Sequence, residues 1–223
     1  MIYVGDNFFD DPYKVRSIAL KQKYITEGFN YPGVRSFSVP EWIGECTLSL
    51  VKDLTKDISL KLLSLSFQSV TKKFGDGIFH RDPHQYICIV YLSLDVPANS
   101  GTEVCGSDHP HGKFHPPDGF SRAFHAHPSH LITRYKYARL RKKVNLHYTP
   151  TVISANKFNR CVIFPATNMH RAQNFFGTSL EDSRLTLVSF IGNTQEYDPS
   201  AQKYYHDLKL LQTEYQNEDI TIT

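Results

Sequence analysis

The run Tyr86-Ile87-Cys88-Ile89-Val90-Tyr91-Leu92 constrains the fold of this chain more than any other segment. Apolar side chains fall on both of its alternating faces, so as a strand it must be covered on both sides and belongs at the centre of a sheet. Further short strands are expected at 67–72, 101–104, 151–154, 160–165 and 185–191, with the central one spanning 86–94. Clusters of turn residues separate them, as in Asp95-Val96-Pro97-Ala98-Asn99-Ser100-Gly101. Many short strands and no nucleotide-binding glycine loop favour a two-sheet jelly roll over a parallel sheet.

Two helices precede the strands. Asp11 can cap and Pro12 can open a helix running to about residue 22, with Val15, Ile18 and Ala19 on one stripe. Pro40-Glu41 signals a second, in which Trp42, Ile43, Cys46, Leu50 and Leu54 recur at helical spacing. Another helix is expected at 129–143, and a C-terminal one at 200–215 with Tyr204, Leu208 and Leu211 on its stripe. The expected organisation is one domain over 1–223: helical support at 1–60, a β-rich body at 64–192 with an insertion at 106–148, and a C-terminal helix within 199–215.

With 40% apolar and 21% charged residues the composition is that of a soluble globular protein, and no window resembles a membrane span. Cytoplasm is the expected compartment. Cys46, Cys88, Cys105 and Cys161 are scattered without a C-x-x-C pair, which argues against a disulfide framework or a cysteine zinc site. A net charge of +3 is too small to announce a nucleic-acid binder.

Immediately before the central strand stands His80-Arg81-Asp82, and far downstream His170 in Asn168-Met169-His170-Arg171-Ala172-Gln173. Two imidazoles and one carboxylate are the ligand set of a non-haem Fe(II) site, which keeps open positions for chemistry. In extended backbone His80 and Asp82 point to one side while Arg81 points away; the third ligand must come from another strand. Alone, an H-x-D tripeptide also suits a surface turn. If iron binds here, a dicarboxylate cosubstrate such as 2-oxoglutarate needs a basic anchor for its far carboxylate. Arg184 and Thr186 alternate onto one face of Arg184-Leu185-Thr186-Leu187-Val188 and offer a guanidinium clamp and a hydroxyl. The competing role for Arg184 is a surface pair with Glu181-Asp182.

These motifs, in this order, carry a family resemblance: His80-x-Asp82; Tyr91-Leu92-Ser93-Leu94-Asp95 with Asn99-Ser100-Gly101-Thr102; Asn159-Arg160-Cys161-Val162-Ile163-Phe164; His170-Arg171-Ala172-Gln173-Asn174-Phe175-Phe176-Gly177; and Asp182-Ser183-Arg184-Leu185-Thr186. The set resembles the Fe(II)/2-oxoglutarate-dependent oxygenase superfamily. More narrowly it is similar to small bacterial and phage-type members near the prolyl-hydroxylase-like branch. The likeness covers residues 67–192 and, more weakly, the N-terminal helices and Tyr31-Pro32-Gly33-Val34-Arg35.

The resemblance implies a mainly β fold with flanking helices, a cupin-like double-stranded β-helix. Iron would be held by His80, Asp82 and His170, and 2-oxoglutarate by the metal, Arg184 and Thr186. With O2, and with ascorbate as a stimulant, such a dioxygenase releases succinate and CO2 and hydroxylates its substrate, a small molecule or a protein side chain. Because Asp82 fills the position that halogenating relatives vacate, hydroxylation is expected.

Tyr86 and Tyr91 lie on the central strand; either can hydrogen-bond a cosubstrate or serve as core, and Tyr91 is taken as the cofactor-binding residue. His84 is expected at the rim, and Arg171 and Asn174 either orient His170 or fill a polar turn. His109-x-His111 and His125-x-His127 suit a solvated or lid-forming loop better than a second metal site. The basic stretch 134–143, with Tyr135 and Tyr137, is either solvated surface or a dock for an acidic or nucleic-acid partner. That dock underlies the alternative function, a non-catalytic β-barrel binding module. A zinc hydrolase lacks support, since no H-E-x-x-H is present.

Overall fold

The computed structural model describes residues 1–25, 31–106, 141–142 and 144–193. The expected helices at 129–143 and 200–215 lie wholly or largely outside them, as do the paired histidines between 109 and 127 and nearly all of the basic stretch.

The described chain is mostly β, with two helices and two antiparallel sheets. In chain order the elements are β1 (Tyr3–Gly5), α1 (Pro12–Leu20), β2 (Val34–Ser36), α2 (Glu41–Thr55), β3 (Lys61–Val70), β4 (Tyr86–Tyr91), β5 (Thr102–Val104), β6 (Val152–Ser154), β7 (Cys161–Pro165), β8 (His170–Ala172) and β9 (Arg184–Gly192). The larger sheet has six strands in the order β1-β7-β4-β9-β3-β2, and the smaller has three, β6-β5-β8.

The doubly apolar run is β4, flanked by β7 and β9, and its alternation partitions the core. Cys88 and Val90 face α1 and α2 in a cluster with Val15, Ile43, Phe67 and Leu187. Ile87, Ile89 and Tyr91 face the other way and pack with Val104, Phe164, Val188 and Phe190. One face of the large sheet is thus sealed by helices. The opposite face forms the wall of a cleft.

Both helices start where their capping signals stand. The Asp11 side chain accepts from the Lys14 backbone N–H at 3.0 Å with Pro12 in the first turn, and α2 begins after Pro40. α1 buries more than its apolar stripe. Arg16 is also buried and donates to the carbonyls of Leu92 at 2.6 Å and Glu181 at 2.7 Å, tying the helix to the ends of two connections.

Differences from the expected strands have local causes. β3 begins at Lys61 rather than near 67, because a register shift between Leu62 and Ser64 breaks the period-2 pattern. It ends at Val70, where the chain enters a single 3-10 turn at Lys72–Phe74. β1, β2 and β8 were not expected; three residues carry little alternation, although β5 and β6, equally short, were expected.

Leu187 is fully buried on the helix-facing side and contributes nothing to the cleft. Leu187→Ala is expected to destabilise the fold by about 2–5 kcal/mol. Denaturant unfolding of the two proteins checks it.

Candidate metal centre and anion pocket

His80 and His170 are ninety residues apart in sequence and adjacent in space because their backbones exchange hydrogen bonds. The His80 N–H donates to the His170 carbonyl at 3.0 Å, and the His170 N–H donates to that of His80 at 2.9 Å. β8 supplies His170 and pairs in turn with β5, Val104 opposite His170. Asp82 lies outside any strand, yet its N–H donates to the Ala166 carbonyl at 2.9 Å. The H-x-D segment is thus fastened at both ends. Gly77, just upstream, has no room for a side chain: a Cβ there would fall 2.1 Å from the Ala172 carbonyl oxygen.

Hydrogen bonding also fixes how the imidazoles point. Nδ1 of His80 lies 2.8 Å from the Ile78 carbonyl, and Nδ1 of His170 lies 2.8 Å from that of Asn168. A carbonyl only accepts, so Nδ1 carries the proton in both rings and Nε2 of the neutral ring is a bare lone pair. Those Nε2 atoms face Asp82, at 3.7 Å from its carboxylate for His80 and 3.2 Å for His170. One ligand atom from each of the three residues fits within 4.8 Å. Electron pairs facing one another at these distances call for a cation among them, a metal ion or a proton on Nε2. A neutral imidazole oriented by Nδ1–H to a carbonyl is how proteins present metal ligands.

The electrostatics reflect the protonated case. Burial pushes the Asp82 pKa up, but the hydrogen bond with His170 and the charge of His80 outweigh it and hold the carboxyl below its ordinary range. His80 is lowered, chiefly by burial and then by the charge of His170, with Asp82 opposing. His84 is buried rather than at the rim, stacks on Phe190 at 4.3 Å, and is lowered to about 4 by burial.

The second feature is Arg184 at the start of β9, 3% exposed and bordering the cleft. Its Nε donates to the Ser100 carbonyl at 3.2 Å and its Nη2 to the Thr102 hydroxyl at 3.2 Å, and the guanidinium lies 5.5 Å from the Tyr91 ring. Among the described residues no carboxylate pairs with it. The alternative pairing with Glu181-Asp182 does not occur. Asp182 instead accepts from the backbone N–H groups of Ser179 at 2.6 Å and Thr178 at 2.8 Å, which hold its pKa at about 2. Arg184 is turned into the cleft with an unneutralised charge.

Tyr91 and Thr186, assigned to the cosubstrate by the sequence reading, sit beneath this arginine rather than in the cleft lining. The Tyr91 hydroxyl donates to Thr102 at 2.7 Å, and Thr186 Oγ1 is buried with no hydrogen-bond partner. Thr102, which joins Tyr91 to Arg184, had no assigned role. Arg171 does not approach the cluster of ligands; it pairs with Glu103 on β5, which also accepts from Gln173 at 3.0 Å. Asn174 is exposed. Asn168 proves to be a positioning residue, since its side chain donates to the Cys105 carbonyl at 3.0 Å and its own carbonyl orients the His170 ring.

The cleft has a volume of about 340 Å³ and holds His80, Asp82, His170 and Arg184 on a largely apolar floor. No helix among the described residues is long and apolar enough to cross a membrane. All four cysteines are free thiols, Cys88 and Cys161 with sulfurs 3.4 Å apart.

No protein-family model matches the sequence, and no curated protein matches it. Solved structures do resemble the fold. HygX from Streptomyces hygroscopicus with nickel, 2-oxoglutarate and hygromycin B bound is 13% identical, with a TM-score of 0.58 over 87% of this chain and 83% of that one. SnoN, a non-haem α-ketoglutarate-dependent epimerase from nogalamycin biosynthesis, is 14% identical, with a TM-score of 0.54 over 92% and 83%. EctD from S. alaskensis in its apo form is 12% identical, with a TM-score of 0.51 over 86% and 72%. At such identities the likeness defines the fold.

Removing an outer partner of a metal ligand typically costs about 10–100-fold in affinity. His170→Ala, which deletes a direct donor, is expected to weaken binding of a divalent transition metal by about 100-fold or more, measured by calorimetric titration.

Proposed function

We propose that this chain is an Fe(II)- and 2-oxoglutarate-dependent dioxygenase built on a double-stranded β-helix, hydroxylating a C–H bond with release of succinate and CO2. The observation that carries the reading is the pairing of two features in one cleft. Three ligand atoms converge with both imidazoles presenting Nε2, and a buried guanidinium lies nearby without a carboxylate partner. A dicarboxylate suits both at once. Its keto-acid end would chelate the metal and its far carboxylate would neutralise Arg184. HygX and SnoN are described with 2-oxoglutarate or as dependent on it, which supports the same cosubstrate here.

The metal and cosubstrate together would supply the oxidant from O2. The protein's own residues do the rest. His80, Asp82 and His170 would hold three positions of an octahedral ion and leave three for cosubstrate and oxygen. With Asp82 contributing a carboxylate, no position is left for a halide in its place, and hydroxylation is the favoured outcome. Arg184, braced by Ser100, Thr102 and the Tyr91 ring, would fix the cosubstrate's orientation. Thr186 and Tyr91 would act from beneath it, as positioning groups. The position near the prolyl-hydroxylase-like branch, the cytoplasmic setting and the single-domain organisation rest on the sequence motifs.

Truncating one partner of a buried charge pair costs about 2 kcal/mol or more, roughly 30-fold in affinity. Arg184→Met is therefore expected to raise the 2-oxoglutarate dissociation constant at least about 30-fold while metal affinity stays near wild type. Titration of 2-oxoglutarate into the metal-loaded proteins reads both. The alternative, a binding module for an acidic partner at 134–143, forecasts salt-sensitive binding that survives His170→Ala and no succinate release.

A further inference from the structure

Besides Arg184 the cleft is lined by another buried arginine, one that the cosubstrate does not require. Arg35 is on β2, in register with Gln68 of β3, which is in register with Thr186 of β9. It is 7% exposed and borders the cleft. Its Nε is buried without a hydrogen-bond partner, and among the described residues no carboxylate pairs with it. Its contacts are aromatic: the guanidinium lies 4.2 Å from the Tyr31 ring centroid and 5.9 Å from that of Phe190. The rings offset part of the cost of burying this charge, but no anion among the described residues neutralises it and its Nε–H has no acceptor.

The backbone around Arg35 is fixed from both sides. It pairs with β3, and it exchanges hydrogen bonds with Ile25 at 2.8 and 3.2 Å. The turn before it is locked by Gln68, whose side chain donates to the Pro32 carbonyl at 2.9 Å. Gly33 makes the turn possible: its φ is +80°, and a Cβ would fall 2.0 Å from the Ser69 carbonyl oxygen. The guanidinium is therefore presented from a rigid support, as a recognition group requires.

Position separates its role from that of Arg184. The Arg35 backbone is level with Thr186, two strands away, but its guanidinium leans along the sheet toward Phe190, six residues beyond Arg184 on β9, while that of Arg184 lies by the Tyr91 ring. The Phe190 ring also packs against His84 at 4.3 Å, two residues after Asp82, which sets this arginine toward the metal end of the cleft. A single cosubstrate chelated at the metal and anchored on Arg184 leaves Arg35 unneutralised.

Building on the proposed function, we infer that Arg35 is the substrate's anchor, and that the substrate is an organic anion, a carboxylate or phosphate ester. Its charged group meets the Arg35 guanidinium between Tyr31 and Phe190. The C–H bond to be attacked then lies toward His80, Asp82 and His170.

The test uses the full chain loaded with Ni(II) and saturated with 2-oxoglutarate, titrated calorimetrically with benzoate, with neutral benzamide and with inorganic phosphate. Benzoate carries the charge and suits the aromatic walls; benzamide matches its shape without the charge. A hydrogen-bonded charge contact is worth about tenfold or more in affinity. Wild type is expected to prefer benzoate to benzamide by at least that factor and to bind phosphate. Arg35→Met should abolish both, with 2-oxoglutarate affinity within about twofold of wild type; Arg35→Lys should retain the anion preference. If Arg35→Met does not fold, Arg35→Gln makes the same comparison. Equal binding of benzoate and benzamide by wild type overturns the inference, as does benzoate binding unchanged in Arg35→Met. Loss of 2-oxoglutarate affinity in Arg35→Met also overturns it, by assigning Arg35 to the cosubstrate. If wild type binds no 2-oxoglutarate, the proposed function falls, and the benzoate comparison on the Ni(II)-loaded chain still decides the role of Arg35.

Discussion

Two backbone hydrogen bonds between His80 and His170 hold the candidate centre together, and much of the architecture exists to make them possible. His80 sits on the irregular segment leading to β4, and His170 on a three-residue strand that would not stand alone. β5 on one side and the His80 bridge on the other give β8 its partners. Asn168 links the same turn to Cys105, and its carbonyl orients the imidazole that follows. The peptide backbone thus sets both the distance between the rings and the direction each ring faces. Side-chain packing refines that geometry, with the His170 ring 4.8 Å from Phe164.

Charge distribution gives the cleft its chemical character. Taking an ion out of water costs several kcal/mol, more than one neutral hydrogen bond returns. Arg16 meets this cost with two carbonyls at 2.6 and 2.7 Å, and Arg171 with Glu103. Arg184 has longer contacts, one carbonyl and one hydroxyl at 3.2 Å each, and Arg35 rests against the Tyr31 and Phe190 rings. Neither has a carboxylate partner among the described residues, and both border the cleft, as does the less buried Arg81; among those residues the one acidic lining group is Asp82, itself facing the histidines. Such a cavity is complementary to a ligand with more than one negative group, or to two anions side by side.

Much of this was legible in the sequence, and the limits were physical. The doubly apolar β4 announced a central strand because burial on both faces leaves no other composition. The H-x-D tripeptide and His170 were readable as candidate ligands because few residue types donate to a transition metal, and the fold brings their donor atoms together. Arg35 was not. It stood only within Tyr31-Pro32-Gly33-Val34-Arg35, a weak part of the resemblance, and its packing against Phe190 joins residues 155 apart in sequence. Tyr91 was visible as a strand residue, but its placement below Arg184 follows from the pairing of β4 with β9, which no local pattern encodes. β2 and β8 escaped, although each positions a residue of the cleft.

The most direct test of the central claim is a crystal structure of the chain soaked anaerobically with Fe(II) and 2-oxoglutarate, with the metal located by its anomalous scattering. The account predicts one ion bound by Nε2 of His80, Nε2 of His170 and the Asp82 carboxylate, with the far carboxylate of 2-oxoglutarate on Arg184. An ion elsewhere, coordination through Nδ1 of either ring, or a 2-oxoglutarate that leaves Arg184 without an anion would contradict it.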